Sequence, residues 1–156
     1  MAEVVGNAKS IFAGALRVML SDGVLTREER RLTAALSRHM ELKDDDPLEI
    51  YEAVISGGNI DGGKEITDED GQEIYVRVYE VALVGVLSND EWQLLGYLRQ
   101  AFGIDEKTHR EIETLLMKVV EEKYEPKMHE KMIGHLKDSV GIIGRWFDAA
   151  RLKNVN

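Results

Sequence analysis

The chain has 156 residues, of which 44% are hydrophobic and 31% charged, a balance typical of one globular domain. Its 29 acidic and 20 basic residues leave a net charge of −9, which argues against nucleic-acid binding, because phosphate contacts need a basic surface. With no Cys, disulfides, thiolate metal sites and cysteine nucleophiles are excluded. No apolar run approaches the ~20 residues that span a bilayer. The charged opening Met1-Ala2-Glu3 is unlike a signal peptide, so a soluble, cytoplasmic protein is expected.

In chain order, Val5, Ala8, Phe12, Ala15 and Met19 recur at steps of three and four and predict an amphipathic helix over Glu3–Ser21. Ser21-Asp22-Gly23 ends it in a turn. Thr26, with Glu29 three residues on, forms a capping box that opens a second helix, and Leu32, Leu36 and Met40 form its buried side. The acidic start Asp44-Asp45-Asp46-Pro47 predicts a third helix to about Ser56. Gly57–Gly71 reads as a long, acidic, glycine-rich loop. Asp68-Glu69-Asp70-Gly71 within it is not an EF-hand: with Gly71 at the sixth position, Ile66 and Arg77 stand where Asp and Glu are required. Alternating β-branched residues over Glu73–Tyr79 could form a strand taken alone. Further helices are predicted over Ser88–Gly103 and Asp105–Glu122. A last one starts at Pro126, with Met128, Met132, Leu136, Val140, Ile143 and Phe147 on one side.

An internal repeat decides the ambiguous segment. Shifting the chain by 62 positions lays Leu25-Thr26-Arg27-Glu28-Glu29 on Leu87-Ser88-Asn89-Asp90-Glu91. It also pairs Leu32 with Leu94, Leu36 with Leu98, Met40 with Phe102, Leu42 with Ile104 and Ile50 with Ile112. The helix before Leu25 then implies a helix before Leu87, so Tyr75–Val86 is expected to be helical. The reading is an all-α, single-domain bundle of about seven helices. Two duplicated units lie within residues 1–126, with residues 14–50 and 76–112 related by an approximate two-fold axis. A C-terminal amphipathic helix over 127–156 packs on them.

The segment Ala15–Glu29, with its Ser21-Asp22-Gly23 turn followed by Thr26 and Glu29, resembles the signature of the tellurite-resistance TerB-like family. The likeness returns at Leu87–Gly103, and it covers roughly Gly14–Leu116. It implies an all-helical pair of units, a non-enzymatic interaction module, a link to chemical stress, and an acidic cluster between units that holds a divalent cation. At the position equivalent to Asp22 the second copy carries Val84, although Gly85 matches Gly23, so only one turn keeps its acid.

Asp22, Glu28, Glu29, Asp90 and Glu91 are the candidate carboxylate ligands, since oxygen clusters suit Ca²⁺ or Mg²⁺. The competing and preferred reading is structural: Asp22 makes the turn, Glu29 and Glu91 complete capping boxes, and Asp90 favours a helix start through the dipole. His39, His109, His129 and His135 read as surface or boundary residues without a positioned carboxylate partner. No nucleophile elbow, Walker loop or dinucleotide fingerprint is present, and no catalysis is expected. From Lys127 onward six basic residues face three acidic ones, giving +3 against −12 for the remainder. Met128, Met132, Lys137, Arg145 and Trp146 are therefore candidate contacts with a protein partner or an anionic membrane surface. The preferred alternative has this helix lying on the acidic bundle. A homodimer is compatible with either.

Overall fold

A computed structural model describes residues 2–23, 25–85 and 88–136, and of Asp22 the backbone alone. Six α-helices follow one another: α1 (Ala8–Met19), α2 (Arg27–His39), α3 (Asp46–Ile55), α4 (Asp68–Val84), α5 (Asn89–Ala101) and α6 (Glu106–Lys123). Residues 126–136 are also helical and are labelled α7. A 3-10 turn over Leu20–Asp22 follows α1, and one antiparallel pair joins β1 (Val4–Asn7) to β2 (Glu65–Thr67). The expected all-α bundle of about seven helices is the observed architecture, apart from that small ribbon.

Two expectations are corrected by the ribbon. The first helix begins at Ala8 rather than Glu3, because residues 4–7 find backbone partners in β2 and Asn7 caps α1 by accepting from Ser10 N–H at 2.9 Å. The loop expected over 57–71 ends early. Thr67 caps α4 and Asp70 completes the capping box, so Asp68, Glu69 and Asp70 form a helical first turn where their charge suits the dipole. Residues 75–84 are helical, in the long α4, and the strand that their alternation allowed does not form.

The internal repeat reappears in local detail. Capping boxes open both α2 and α5, at Thr26/Glu29 and Ser88/Glu91. Both helices close in the same way. Leu42 N–H donates to Ser37 C=O and Glu41 N–H to Arg38 C=O, both at 3.1 Å; Ile104 N–H donates to Arg99 C=O at 3.0 Å and Gly103 N–H to Gln100 C=O at 3.1 Å. Each is a Schellman ending, in which the chain reverses through one left-handed residue.

Tertiary packing crosses the units. Helix α1 lies chiefly on α5, and α4 lies on α2, so the first helix of each unit packs on the second helix of the other. The repeat-paired residues Leu32, Leu94, Leu36, Leu98, Met40, Phe102, Ile50 and Ile112 are all buried in one core. Each such side chain contributes roughly 1.5–3 kcal/mol through removal from water, which the isolated units could not recover. Met132 and Leu136 of α7 join this core. Lys137, Arg145, Trp146 and most of the expected C-terminal helix lie outside the described residues.

Candidate functional site

The carboxylates that the sequence singles out are placed mostly in caps. Glu29 is fully buried and accepts from Thr26 N–H at 2.9 Å, while its own N–H donates to Thr26 Oγ1 at 3.1 Å. Glu91 is buried and accepts from Ser88 N–H at 3.0 Å, and the Ser88 hydroxyl turns onto the same carboxylate. Glu28 pairs with Arg31 at 2.8 Å, and the Arg31 guanidinium also donates to Val81 C=O at 3.0 Å, near the C-terminal end of α4. This pair lies against Gly85, the counterpart of Gly23. Asp90 sits half-buried in the first turn of α5, and the backbone of Asp22 closes the 3-10 turn before Gly23. Among the described residues, no three His, Asp or Glu side chains form a group suited to a metal ion.

Of the proposed contact residues, Met132 is fully buried and Met128 is half-buried against the core. Met132 is therefore part of the bundle and not presented to a partner. Within 126–136, Met128, Met132, Ile133 and Leu136 are covered by the bundle core, and the rest of the stripe lies outside the described residues.

His109 corrects another expectation. It is buried, and its Nε2 lies 3.1 Å from Glu113 Oε1 on the next turn, with Tyr75 Oη 3.5 Å from its Nδ1. Tyr75 and Tyr79 flank the imidazole with ring centroids 5.9 and 6.2 Å away, and Trp92 meets Tyr79 edge-on. Burial, helped by neighbouring Tyr79, holds the Tyr75 phenol well above its ordinary pKa. The i, i+4 spacing of His109 and Glu113 was the available signal, as one turn of helix brings such a pair together.

This aromatic cluster shapes the surface above it. At the equivalent positions the first unit has Ala13, Arg17 and Pro47 in place of Tyr75, Tyr79 and His109, and there α3 lies close on α1. In the second unit the ring volume separates α6 from α4 and opens a groove of about 560 Å³ between them. Ile112, Val76, Leu115 and Val119 line it with apolar surface, and Leu115 is 49% exposed. Glu69, Glu73 and Glu111 stand along its rim with Arg77 as the one cation. Beside it, a polar cleft of about 180 Å³ holds His39, Glu41, Lys64, Asp70 and Glu73. Burial, then Arg38 and Arg77, keep the His39 imidazole below its ordinary pKa.

No helix among the described residues is long and apolar enough to cross a membrane. Compared with family models, curated proteins and solved structures, the chain matches none of them.

Proposed function

We propose that this chain is a non-enzymatic, TerB-like interaction module whose contact surface is the groove between α4 and α6. The observation that carries this reading is a half-exposed apolar floor bordered by three carboxylates, on a scaffold whose first unit closes the equivalent space. The occupant is an amphipathic helix of a protein partner, with a Leu-like stripe for the floor and Lys or Arg on its flanks. Helix-in-groove recognition needs that combination of apolar anchors and complementary rim charge. The resemblance of Ala15–Glu29 to the TerB-like signature supports a role in chemical-stress response.

A labelled Leu/Lys amphipathic peptide of about 14 residues, roughly four helical turns, tests the groove directly. It should bind the full chain, and Leu115→Asp should weaken it while helical content is retained. A Leu/Glu peptide should not bind. Equal affinity for both peptides, or indifference to Leu115→Asp, overturns the reading.

For Asp22 the structural reading is kept, and a divalent cation at that turn is the alternative that the TerB-like resemblance implies. With so few carboxylates left outside the caps, binding should be weak, about millimolar. Calorimetric titration of Ca²⁺ and Mg²⁺ into wild type and Asp22→Asn decides it. A micromolar site lost in the variant would make the cation central.

A further inference from the structure

One stripe of helix α2 borders an open cleft. Arg30, Thr33, Ala34, Ser37 and Arg38 follow at i, i+3, i+4, i+7 and i+8, and all five line a second cleft of about 560 Å³. Across it stand Leu42, Lys43 and Asp44 of the connection between α2 and α3 and Pro47 in the first turn of α3, with Phe12 of α1 at the base. In a chain of net charge −9, three cations against one carboxylate is a local inversion.

The repeat shows what this face would otherwise be. Its counterparts on α5 are Trp92, Leu95, Gly96, Arg99 and Gln100, and the first four are buried. Trp92 fills the space that Arg30 leaves open, and His109 occupies the position of Pro47. The first unit has thus exchanged a packed interface for a cleft with cations on its walls.

Those cations are uncommitted. Arg31, the neighbour of Arg30, is tied to Glu28 and Val81, whereas Arg30, Arg38 and Lys43 form no side-chain ion pair among the described residues. The nearby Asp46 carboxylate accepts from the Lys43 backbone N–H at 2.8 Å and pairs with Lys9 at 3.6 Å, not with the side chains of these three. Ser37 adds a hydroxyl between the two arginines along the stripe. Guanidinium forks match the paired oxygens of phosphate and carboxylate, and the ammonium adds a point charge.

We propose that the cleft between α2 and α3 binds a small molecule bearing an oxyanion, with Arg30, Arg38 and Lys43 gripping the charged group. Phe12, Leu42 and Pro47 offer the remainder of the ligand an apolar rest, and the volume falls within the range of small-molecule sites. The ligand is therefore an organic phosphate or carboxylate. This site is separate from the α4–α6 groove and stands or falls without it.

The test uses the full chain with inorganic phosphate, phenyl phosphate, benzoate and benzyl alcohol, each followed by calorimetry at constant ionic strength. Phenyl phosphate or benzoate should bind more tightly than inorganic phosphate, and benzyl alcohol should not bind. The exposed cations allow Arg30→Gln and Arg38→Gln to be made without touching the core. Each should weaken binding by about tenfold or more, as expected for loss of a charge-assisted bidentate contact. Circular dichroism should show both variants as helical as wild type. Binding unchanged in both variants, or no binding by any of the anions, overturns the proposal. Tighter binding of phenyl phosphate than benzoate identifies phosphate as the group recognised, and the reverse identifies carboxylate; both outcomes support the site.

Discussion

Glu41 and Gly103, 62 residues apart, occupy the same left-handed position after the second helix of their units, with φ of 58° and 67°. Glycine adopts this conformation freely, whereas Glu brings its Cβ close to the following carbonyl, at a cost of roughly 1–2 kcal/mol. The Glu41–Lys64 pair at 2.8 Å offsets little of this, because the Glu41 side chain is 65% exposed. Glu41→Gly should therefore stabilise the protein by about 0.5–1 kcal/mol, and Gly103→Ala should cost about 1 kcal/mol. Nothing lies within 4 Å of a Cβ at Gly103, so its cost is conformational and not steric. Urea denaturation of both variants checks it. Neutral behaviour at both positions would refute the equivalence.

The caps supply a second test. Thr26→Ala and Ser88→Ala each remove a side chain from a formed capping box. Each should cost about 1 kcal/mol in chemical denaturation, and values under about 0.3 kcal/mol for both would contradict their role.

Gly71, in the first turn of α4, lies against the side chain of Phe102, where an added Cβ would come within 2.7 Å. Helix propensity alone would favour Ala by up to about 1 kcal/mol, but overpacking of a buried ring costs about 1–3 kcal/mol. Gly71→Ala should therefore destabilise by about 1–2 kcal/mol, because both contacting surfaces are rigid. Thermal unfolding gives the sign, and a raised melting temperature would show that the two helices are free to separate.

Stability should fall at both ends of the pH scale. Burial pushes the Tyr97 phenol up to about 12, while its hydroxyl donates to Ile11 C=O at 3.3 Å. Unfolded tyrosine ionises near 10, so between about pH 10 and 12 the unfolded state alone loses this proton and gains ground. Tyr75 acts in the same direction. Tyr97→Phe should flatten the alkaline loss measured by denaturant melts across this range. On the acid side, the His39 imidazole is held below its ordinary value, so the unfolded state takes up its proton first as pH falls below about 6.5. His39→Gln should remove that component of the acid slope, and an unchanged slope would show that the group does not matter.

Helix starts and stops were legible because they are local. Thr26 with Glu29 and Ser88 with Glu91 satisfy backbone groups within one turn, and Pro47 after an acidic run lacks an N–H that the helix start would leave unpaired, which needs no knowledge of the fold. The repeat of 62 residues was legible for a related reason: identical packing demands leave apolar residues at matching positions. It also overruled the strand-like alternation over Glu73–Tyr79, where the period alone misleads. The β1–β2 ribbon was not legible, since four residues and three residues carry no signal until each finds the other about 60 positions away.

By itself, the sequence determined a mainly helical chain, its internal repeat, and the capping roles of Glu29 and Glu91, though not that of Asp70. Tertiary structure decided where surface remains open. Tyr75, Tyr79 and His109 read along the chain as scattered polar or aromatic residues, yet packed together they separate α6 from α4 and create a groove. Arg30 and Arg38 lie on the exposed side of α2. Only the position of the third helix, across from them, turns that side into the wall of a cleft. Both surfaces depend on the volume and charge that distant segments bring to one place, and a local pattern does not encode that arrangement.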